Sequence, residues 1–346
     1  MSTKRLMMYG AAGYTGGMAA QHAAAAGLPL VLAGRTRSRA ALEPLATRLD
    51  AELRLFDLED AAAVMRHLEG IGVLLNCAGP FRNTAGSLMS AAIVAGVHYL
   101  DFSAELDTYQ QALAMDQQAH AAGIMLLPGS GGSVAMLGSL AGHAVARLDA
   151  PRKISISLDV AGAMSKGSLR SAGQALEMPP LQRLNGALVA RSADEGRMFD
   201  FGSGPRFSFP ATLPDLLTLH HATGVPDIET FVHIAVGDSP TSEAGEGTAG
   251  PSAEARACSR YHAAVEVTGA DGIVARSWLD TVNGYTFTAM AAAEAARRVL
   301  AGEVRPGFQT PAALFGNGFA GTIADTRIID MALDRARAMP PGLESP

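Results

Sequence analysis

Short apolar runs alternate with Ala-rich stretches of helical length over the first 130 residues. The runs that read as strands are Lys4–Gly10, Leu30–Gly34, Glu52–Asp57, Ile71–Cys77, His98–Asp101 and Ile124–Leu127. The stretches that read as helices are Tyr14–Ala26, Ser38–Leu49, Asp60–Leu68, Asn83–Ala95 and Glu105–Ala121. Because strands separated by helices form βαβ units, we expect a doubly wound α/β domain whose parallel sheet is covered on both faces.

Composition and charge exclude several classes of protein. The 346 residues are 48% apolar and 17% charged, so the chain is long enough for two domains and too apolar to be disordered. A net charge of -6 without a Lys/Arg block argues against a nucleic-acid partner. The apolar stretch Ala23–Gly34 is too short to span a membrane, and the N-terminus lacks the apolar segment of a secretory signal. Two cysteines make no disulfide framework. We therefore expect a cytoplasmic protein without a membrane partner.

After Pro128 the pattern changes to that of an α+β domain. The expected helices are Val134–Arg147 and Ser168–Glu177, and the expected strands are Lys153–Val160, Leu188–Ser192 and Phe231–Val236. A glycine turn between Tyr261–Thr268 and Ile273–Val282 predicts a β-hairpin. Residues 237–257 are rich in Gly, Ser and Glu, which indicates either a solvated loop or a loop that orders over a ligand.

Three glycines, Gly10, Gly13 and Gly16, lie between the first strand and the first helix in the segment GAAGYTG, which also contains Tyr14 and Thr15. Gly10 permits a tight turn, Gly13 lets the backbone approach a pyrophosphate, and Gly16 allows close contact between helix and sheet. The GxxGxxG spacing departs from the strict GxGxxG fingerprint. The simpler alternative is that these glycines only turn the chain.

The end of the second strand indicates which dinucleotide binds. An NAD site places an acidic residue about 20 residues after the glycines, and this chain has Arg35 and Thr36 there. An arginine fork suits a 2′-phosphate, so we expect NADP(H) as the cofactor. Arg35 as a solvated loop residue is the alternative. Asp57, at the end of the third strand, is either a neighbour of the adenine or a helix cap.

Ligands of open α/β sheets lie beyond the carboxyl ends of the strands. The fourth strand ends in Asn76, followed by Ala78, Gly79 and Pro80, and we expect this segment to hold the nicotinamide ribose.

The fifth strand ends at Asp101 and is followed by Glu105. These two carboxylates either bind an amino or hydroxyl group of the substrate or cap the next helix. The histidines show no metal-binding spacing, so we expect no metal site.

Several motifs together resemble the saccharopine dehydrogenase-like oxidoreductases, including their trans-acting enoyl reductase branch. These motifs are GAAGYTG, LAGR, NCAGP and YLDFSAE in the first part of the chain, and Ser165–Ser171, Tyr285–Ala289 and Thr310–Ala312 later. The resemblance implies an NADP-binding Rossmann domain over 1–130 and an α+β substrate and dimerisation domain over 131–282. It further implies a C-terminal helical segment over 283–346 that returns to the Rossmann domain, and a homodimer.

Lys166 stands where enoyl-reductase-like members usually have glycine. It either anchors a substrate carboxylate, donates a proton, or is an exposed loop residue. We expect a reductase that transfers hydride between NADP(H) and a small molecule, with either a C=N bond or a conjugated C=C bond as acceptor. The alternative from another class is a non-catalytic NADP(H) sensor.

Overall fold

The computed structural model describes residues 4–160, 164–165, 167–169, 179–234 and 250–335. Its first sheet is parallel throughout and has the strand order β15-β6-β5-β4-β1-β2-β3. These strands are β1 (Arg5–Tyr9), β2 (Leu30–Gly34), β3 (Glu52–Leu55), β4 (Ile71–Asn76), β5 (His98–Asp101), β6 (Met125–Leu127) and β15 (Gly307–Phe308). The order reverses between β1 and β4, which is where a doubly wound sheet leaves a crevice for a ligand.

Helices cover both faces of this sheet, as the sequence pattern predicts. They are α1 (Tyr14–Ala25), α2 (Arg39–Arg48), α3 (Ala61–His67), α4 (Ala85–Ala95), α5 (Leu106–Ala114) and α6 (Asp116–Ala121). The expected helix Glu105–Ala121 is in fact two helices that break at Met115. The carboxylate of Asp116 accepts a hydrogen bond of 2.7 Å from the backbone N–H of Phe308. This bond joins α6 to β15, a strand that lies far away in the sequence.

The second sheet is mixed, with the order β10-β11-β12-β7-β13-β14-β16. Its strands are β7 (Pro151–Val160), β10 (Arg197–Asp200), β11 (Pro205–Pro210), β12 (Asp227–Ile234), β13 (Arg260–Gly269), β14 (Ile273–Val282) and β16 (Arg327–Asp330). Three shorter strands pair alongside, namely β8 (Leu181–Leu184), β9 (Ala187–Ala190) and β17 (Asp334–Arg335). The predicted hairpin is confirmed as β13 and β14.

Alternation along β7 separates the two faces of the second sheet. Ile154, Ile156 and Leu158 are buried in the main core, against which α7 (Gly132–Val145) packs. Each such side chain contributes about 1.5–3 kcal/mol through burial. Ser157 points to the opposite face, and its hydroxyl lies 2.9 Å from that of Ser208 on β11.

The chain returns to the first sheet after β14. Helix α10 (Gly284–Leu300) packs on α1 through a face of small alanines, and β15 then adds to the edge of the sheet beside β6. The remaining helices are α8 (Asp215–Thr223), α9 (Ala253–Ala257) and α11 (Pro311–Phe315). Of the expected helix Ser168–Glu177, residues 168–169 are helical, and the rest lies outside the described residues, as do residues 237–249 of the expected loop. No helix in the described ranges is long and apolar enough to cross a bilayer.

Candidate functional site

A cleft of about 630 Å³ opens between the carboxyl edge of the first sheet and the second sheet. One wall consists of the β1–α1 turn and the loops that follow β2, β4 and β5. The other wall consists of residues of β7, β12 and β13 and the first turns of α7 and α10. The crevice expected at the point where the strand order reverses therefore has a second domain across it.

The glycine turn has the geometry of a phosphate cradle. Gly10 has φ +89°, and a Cβ there would lie 2.8 Å from the backbone nitrogen of Ala78, so only glycine fits. A Cβ on Gly16 would lie 2.9 Å from the carbonyl oxygen of Gly10. Gly13 is the N-cap of α1 and has no side chain that could accept a hydrogen bond from the helix. The first N–H groups of α1 therefore face the cleft without a side-chain acceptor. This cradle fits the pyrophosphate of a dinucleotide.

Arg35 lies at the edge of the same cleft with an exposed side chain. Beside it, the hydroxyl of Thr36 donates to the carboxylate of Asp57 over 3.2 Å, so the ends of β2 and β3 are joined here. Beneath them burial raises the pKa of Tyr9 to about 12, and its hydroxyl donates to the carbonyl of Phe56. The phenol of Tyr9 therefore stays neutral and contributes no charge to this end of the site.

Asn76 does not line the cleft, although the sequence analysis placed it on the nicotinamide ribose. It is buried, and its amide nitrogen donates to the hydroxyls of Thr84 and Tyr99 at 3.0 and 3.1 Å. Its carbonyl oxygen accepts from the N–H of Ala78. Asn76 thus shapes the loop after β4, while Ala78 and Gly79 themselves line the cleft.

Asp101 is also buried and does not reach the cleft. Its carboxylate accepts from the N–H of Ser103 and of Gly129, at 2.9 and 2.8 Å, and from the hydroxyl of Tyr99 at 2.9 Å. Burial raises the pKa of Asp101 to about 6 in spite of these donors. The residue connects the loops after β5 and β6, which is neither of the two roles that the sequence analysis expected.

Glu105 supports the neighbouring loop. Its two carboxylate oxygens accept from the N–H groups of Phe81 and Arg82, at 3.1 and 2.9 Å, immediately after the cis peptide bond between Gly79 and Pro80. As the N-cap of α5, Glu105 makes no side-chain cap of that helix. Lys166, the third residue expected to be catalytic, lies outside the described residues.

The wall contributed by the second domain combines aliphatic side chains with several hydroxyl groups. Its side chains include Met136 on α7, Leu158 and Val160 on β7, Leu213 before α8 and Val232 on β12. The aromatic rings of Phe81 and Phe102 face them from the first domain. Among the described residues that line the cleft, Arg35 is the one with a charged side chain.

Two tyrosines meet where the domains adjoin. Tyr14 of the phosphate cradle and Tyr285 of α10 contact edge to face, with ring centroids 5.2 Å apart. Tyr285 accepts from the N–H of Ser165 and donates to the hydroxyl of Ser168. The motifs that contain Tyr285 and the two serines predict no role for these side chains, because only the fold brings Ser165 and Ser168 together with Tyr285.

Tyr14 is also held from outside the cleft. The guanidinium of Arg256 on α9 lies over its ring, 5.6 Å from the centroid, and donates to its hydroxyl, which itself donates to the carbonyl of Pro251. Burial raises the pKa of Tyr14. Residues 250–257, the part of the 237–257 segment that the structure describes, therefore pack on the cradle.

Nowhere in the described ranges do three or more His, Cys, Asp or Glu side chains form a group that could hold a metal ion.

Comparisons with known proteins agree with this geometry. Residues 6–127 match the model of the saccharopine dehydrogenase NADP binding domain. The apo saccharopine dehydrogenase (L-Glu forming) of Saccharomyces cerevisiae is similar in structure, with a TM-score of 0.66, 14% identity, and coverage of 95% of this chain and 100% of that one. The homospermidine synthase of Legionella pneumophila, in complex with NAD, has a TM-score of 0.64 at 9% identity, and the match covers 99% and 95% of the two chains.

No curated protein sequence matches the chain. The two solved structures establish the fold across nearly the whole chain, and the domain model establishes the family of the dinucleotide-binding part. Residues 6–127 therefore form a domain of the saccharopine dehydrogenase NADP binding type, and the chain as a whole shares its fold with these two enzymes.

Proposed function

We propose that the protein is an NADP(H)-dependent reductase whose acceptor is apolar, with a C=C bond conjugated to a carbonyl. The observation that carries this proposal is the second wall of the cleft, which has a group of aliphatic side chains and no charged side chain among its described residues. An imine between an amine and an oxo acid carries carboxylates, and a buried carboxylate needs a cation or several donors beside it. An acyl chain instead gains free energy simply by leaving water.

The preference for NADP(H) is supported by Arg35 at the cleft edge. Its planar guanidinium can bind a 2′-phosphate through two parallel hydrogen bonds, with the hydroxyl of Thr36 beside it. The carboxylate of Asp57 already accepts from Thr36, and it follows the third strand, not the second. Asp57 therefore lies on the adenine side in this proposal.

The residues of the chain would bind and orient the cofactor and the acceptor, whereas the cofactor would supply the redox chemistry. Bound NADPH supplies a hydride to the electrophilic carbon of the acceptor. The N-terminus of α1 holds the pyrophosphate, and the backbone of Ala78 and Gly79 limits where the nicotinamide ribose can lie. The facing side chains Leu158, Leu213 and Val232 exclude water from the acceptor.

The experiment is steady-state oxidation of NADPH, followed by absorbance, with two sets of acceptors. The first set is crotonyl and octenoyl thioesters of N-acetylcysteamine, and the second is pairs of an amine with an oxo acid. We expect kcat/KM to be higher for octenoyl than for crotonyl, because each additional buried CH₂ contributes about 0.8 kcal/mol. Turnover confined to the amine and oxo-acid pairs would overturn the apolar acceptor and favour an imine.

Leu213→Asp provides the matched test of the wall. A carboxylate there should lower kcat/KM for the octenoyl thioester at least about tenfold and leave NADPH affinity unchanged, because Leu213 lies across the cleft from the cradle. Tight NADPH binding without oxidation by any acceptor would instead favour the sensor. A cytoplasmic location and a homodimer are further parts of the proposal, and light scattering of the purified protein tests the second.

A further inference from the structure

Tyr285 is held rigidly at the start of α10. Asn283 is the N-cap of this helix, and its carbonyl oxygen accepts from the N–H of Tyr285 over 3.0 Å. The amide nitrogen of Asn283 donates to the hydroxyl of Ser259, which fixes the cap in turn. The phenol of Tyr285 therefore enters the cleft from a fixed backbone, not from a loose loop.

The first turn of α10 crosses the reacting end of the cleft. At Tyr285 it meets Tyr14 of the phosphate cradle. One turn later the carbonyl of Thr288 lies so near Gly131, which follows β6, that a Cβ there would be 2.5 Å away. A dinucleotide held at the cradle and extended along the carboxyl ends of β4 to β6 would bring its nicotinamide towards this turn.

The hydroxyl of Tyr285 belongs to a short chain of hydroxyl groups. It accepts from the N–H of Ser165 at 2.6 Å and donates to the Oγ of Ser168 at 2.9 Å. The Oγ atoms of Ser168 and Ser165 are 3.1 Å apart. Such a chain can pass a proton along by successive exchange of donors and acceptors.

We propose that Tyr285 is the proton donor of the reduction, with Ser168 and Ser165 as its relay. This inference rests on the proposed function, in which hydride addition to the β-carbon moves two electrons onto the carbonyl and leaves an enolate. The Oη–H of Tyr285 breaks and its proton goes to the α-carbon, which completes the saturated product. The tyrosinate then takes a proton from Ser168, Ser168 takes one from Ser165, and solvent restores the last. One acceptor, one hydride and one solvent proton are consumed.

Other described groups of the cleft that carry a proton are less suited to this role. Tyr14 donates to the carbonyl of Pro251, and Tyr9 to that of Phe56, and a carbonyl oxygen has no proton with which to restore either phenol. Burial raises the pKa of Tyr261 and of the Cys77 thiol, which makes both weak acids. Tyr285 alone in this set donates into a chain of hydroxyls that can return the proton.

The test is Tyr285→Phe, which keeps the ring and its contact with Tyr14 and removes the hydroxyl. With the octenoyl thioester as probe we expect kcat to fall about 100-fold or more, and KM to stay within about twofold. NADPH affinity, measured by fluorescence without any acceptor, should also stay within about twofold.

Ser168→Ala separates the chemical role from a structural one. It removes the relay but keeps the phenol, so we expect a smaller loss of kcat, about tenfold, with KM retained. If Tyr285 only fixes the 165–168 segment, both variants should raise KM to a similar extent and lower the melting temperature together, and that result overturns the inference. If kcat of Tyr285→Phe is unchanged, only the inference about the proton donor is overturned. If the wild type reduces none of the acceptors, the proposed function is overturned as well.

Discussion

Arg35 is the residue that decides between the two dinucleotides. Hydrogen bonds to charged groups contribute roughly 1.5–3 kcal/mol, so Arg35→Ala should weaken NADPH binding by about one to two decades and leave NADH nearly unchanged. Arg37, exposed two residues later and not part of the cleft lining, provides the matched control. Fluorescence titration of both variants with both cofactors measures this. Equal affinity of the wild type for NADH and NADPH, or equal losses in the two variants, would show that Arg35 has no such role.

At the residue scale the sequence indicates which positions lie at the carboxyl edge but not where their side chains point. Gly10, Gly13 and Arg35 line the cleft as predicted. Asn76 and Asp101 occupy the expected strand ends, yet both turn towards neighbouring loops because unpaired N–H groups there need acceptors. A polar residue after a strand can either face the cleft or accept hydrogen bonds from the N–H groups of neighbouring loops. Only the folded loops decide which of the two it does.

Asp101 gives the corresponding prediction. Asp101→Ala leaves the buried N–H groups of Ser103 and Gly129 without their acceptor, and each such loss costs about 1–3 kcal/mol. We expect the free energy of unfolding in urea to fall by about 2–6 kcal/mol, while the folded fraction binds NADPH with nearly wild-type affinity. A variant of normal stability that binds NADPH but has lost kcat would instead restore Asp101 as a catalytic residue.

At the scale of elements, the strands of the first sheet are the most predictable part of the molecule. Central strands such as β2 and β4 are buried on both faces and form continuous apolar runs that a glycine or a polar residue ends, whereas the edge strand β3 is partly exposed. In the second domain β7 is found from its alternating pattern, but β8, β10 and β11 are short and partly exposed. In β11 the alternation is the reverse of the usual one, because Phe207 and Phe209 are exposed and Ser208 is buried. The place of these three strands depends on partners that are distant in the chain.

The β1–α1 turn is the element on which cofactor binding depends. Gly13 has φ −71°, which any residue adopts. A Cβ there would lie 3.3 Å from the carbonyl oxygen of Gly10, a close contact that a shift of a few tenths of an ångström relieves, so Gly13→Val should fold. Its branched side chain would occupy the place of the pyrophosphate, and we expect NADPH to give no stabilisation in a thermal shift assay.

Gly17 supplies the control for that variant. A Cβ on Gly17 would be 3.5 Å from the carbonyl oxygen of Ala11, an ordinary contact. Gly17→Ala should therefore bind NADPH like the wild type and raise stability by about 0.5–1 kcal/mol, because alanine is the better helix former. A Gly13→Val protein that NADPH stabilises as strongly as it does Gly17→Ala would show that the turn does not contact the phosphates.

At the scale of the whole molecule, the sequence predicts two domains but not how they pack against each other. The second sheet pairs β7 with β12 and β13, strands that lie far apart in the chain, and no local pattern specifies such partners. Helices α7 and α10 then lie at the boundary between the domains, where α10 packs on α1. The pairing of Tyr14 with Tyr285 is a product of this assembly.

Asp215, the first residue of α8, makes stability at this boundary depend on pH. Its helix packs on α7 and also contacts α5 of the first domain. The side chain is buried, and neither carboxylate oxygen has a hydrogen-bond partner in another described residue. Burial raises the pKa of Asp215 from 3.8 to about 7 in the folded protein. Between these two values the folded state holds a proton that the unfolded state has released, so stability decreases as pH rises through this window.

Asp215→Asn should remove this dependence, because the amide is neutral at every pH. A shift of about three pKa units corresponds to at most about 4 kcal/mol, so we expect the variant to gain up to that amount over the wild type at pH about 8 and much less at pH about 5. Urea unfolding across this range measures the difference, and Asp149→Asn, at an exposed aspartate, should follow the wild-type profile. A wild-type stability that is flat between those pH values, or an equal gain in both variants, would show that Asp215 is not the buried titrating group.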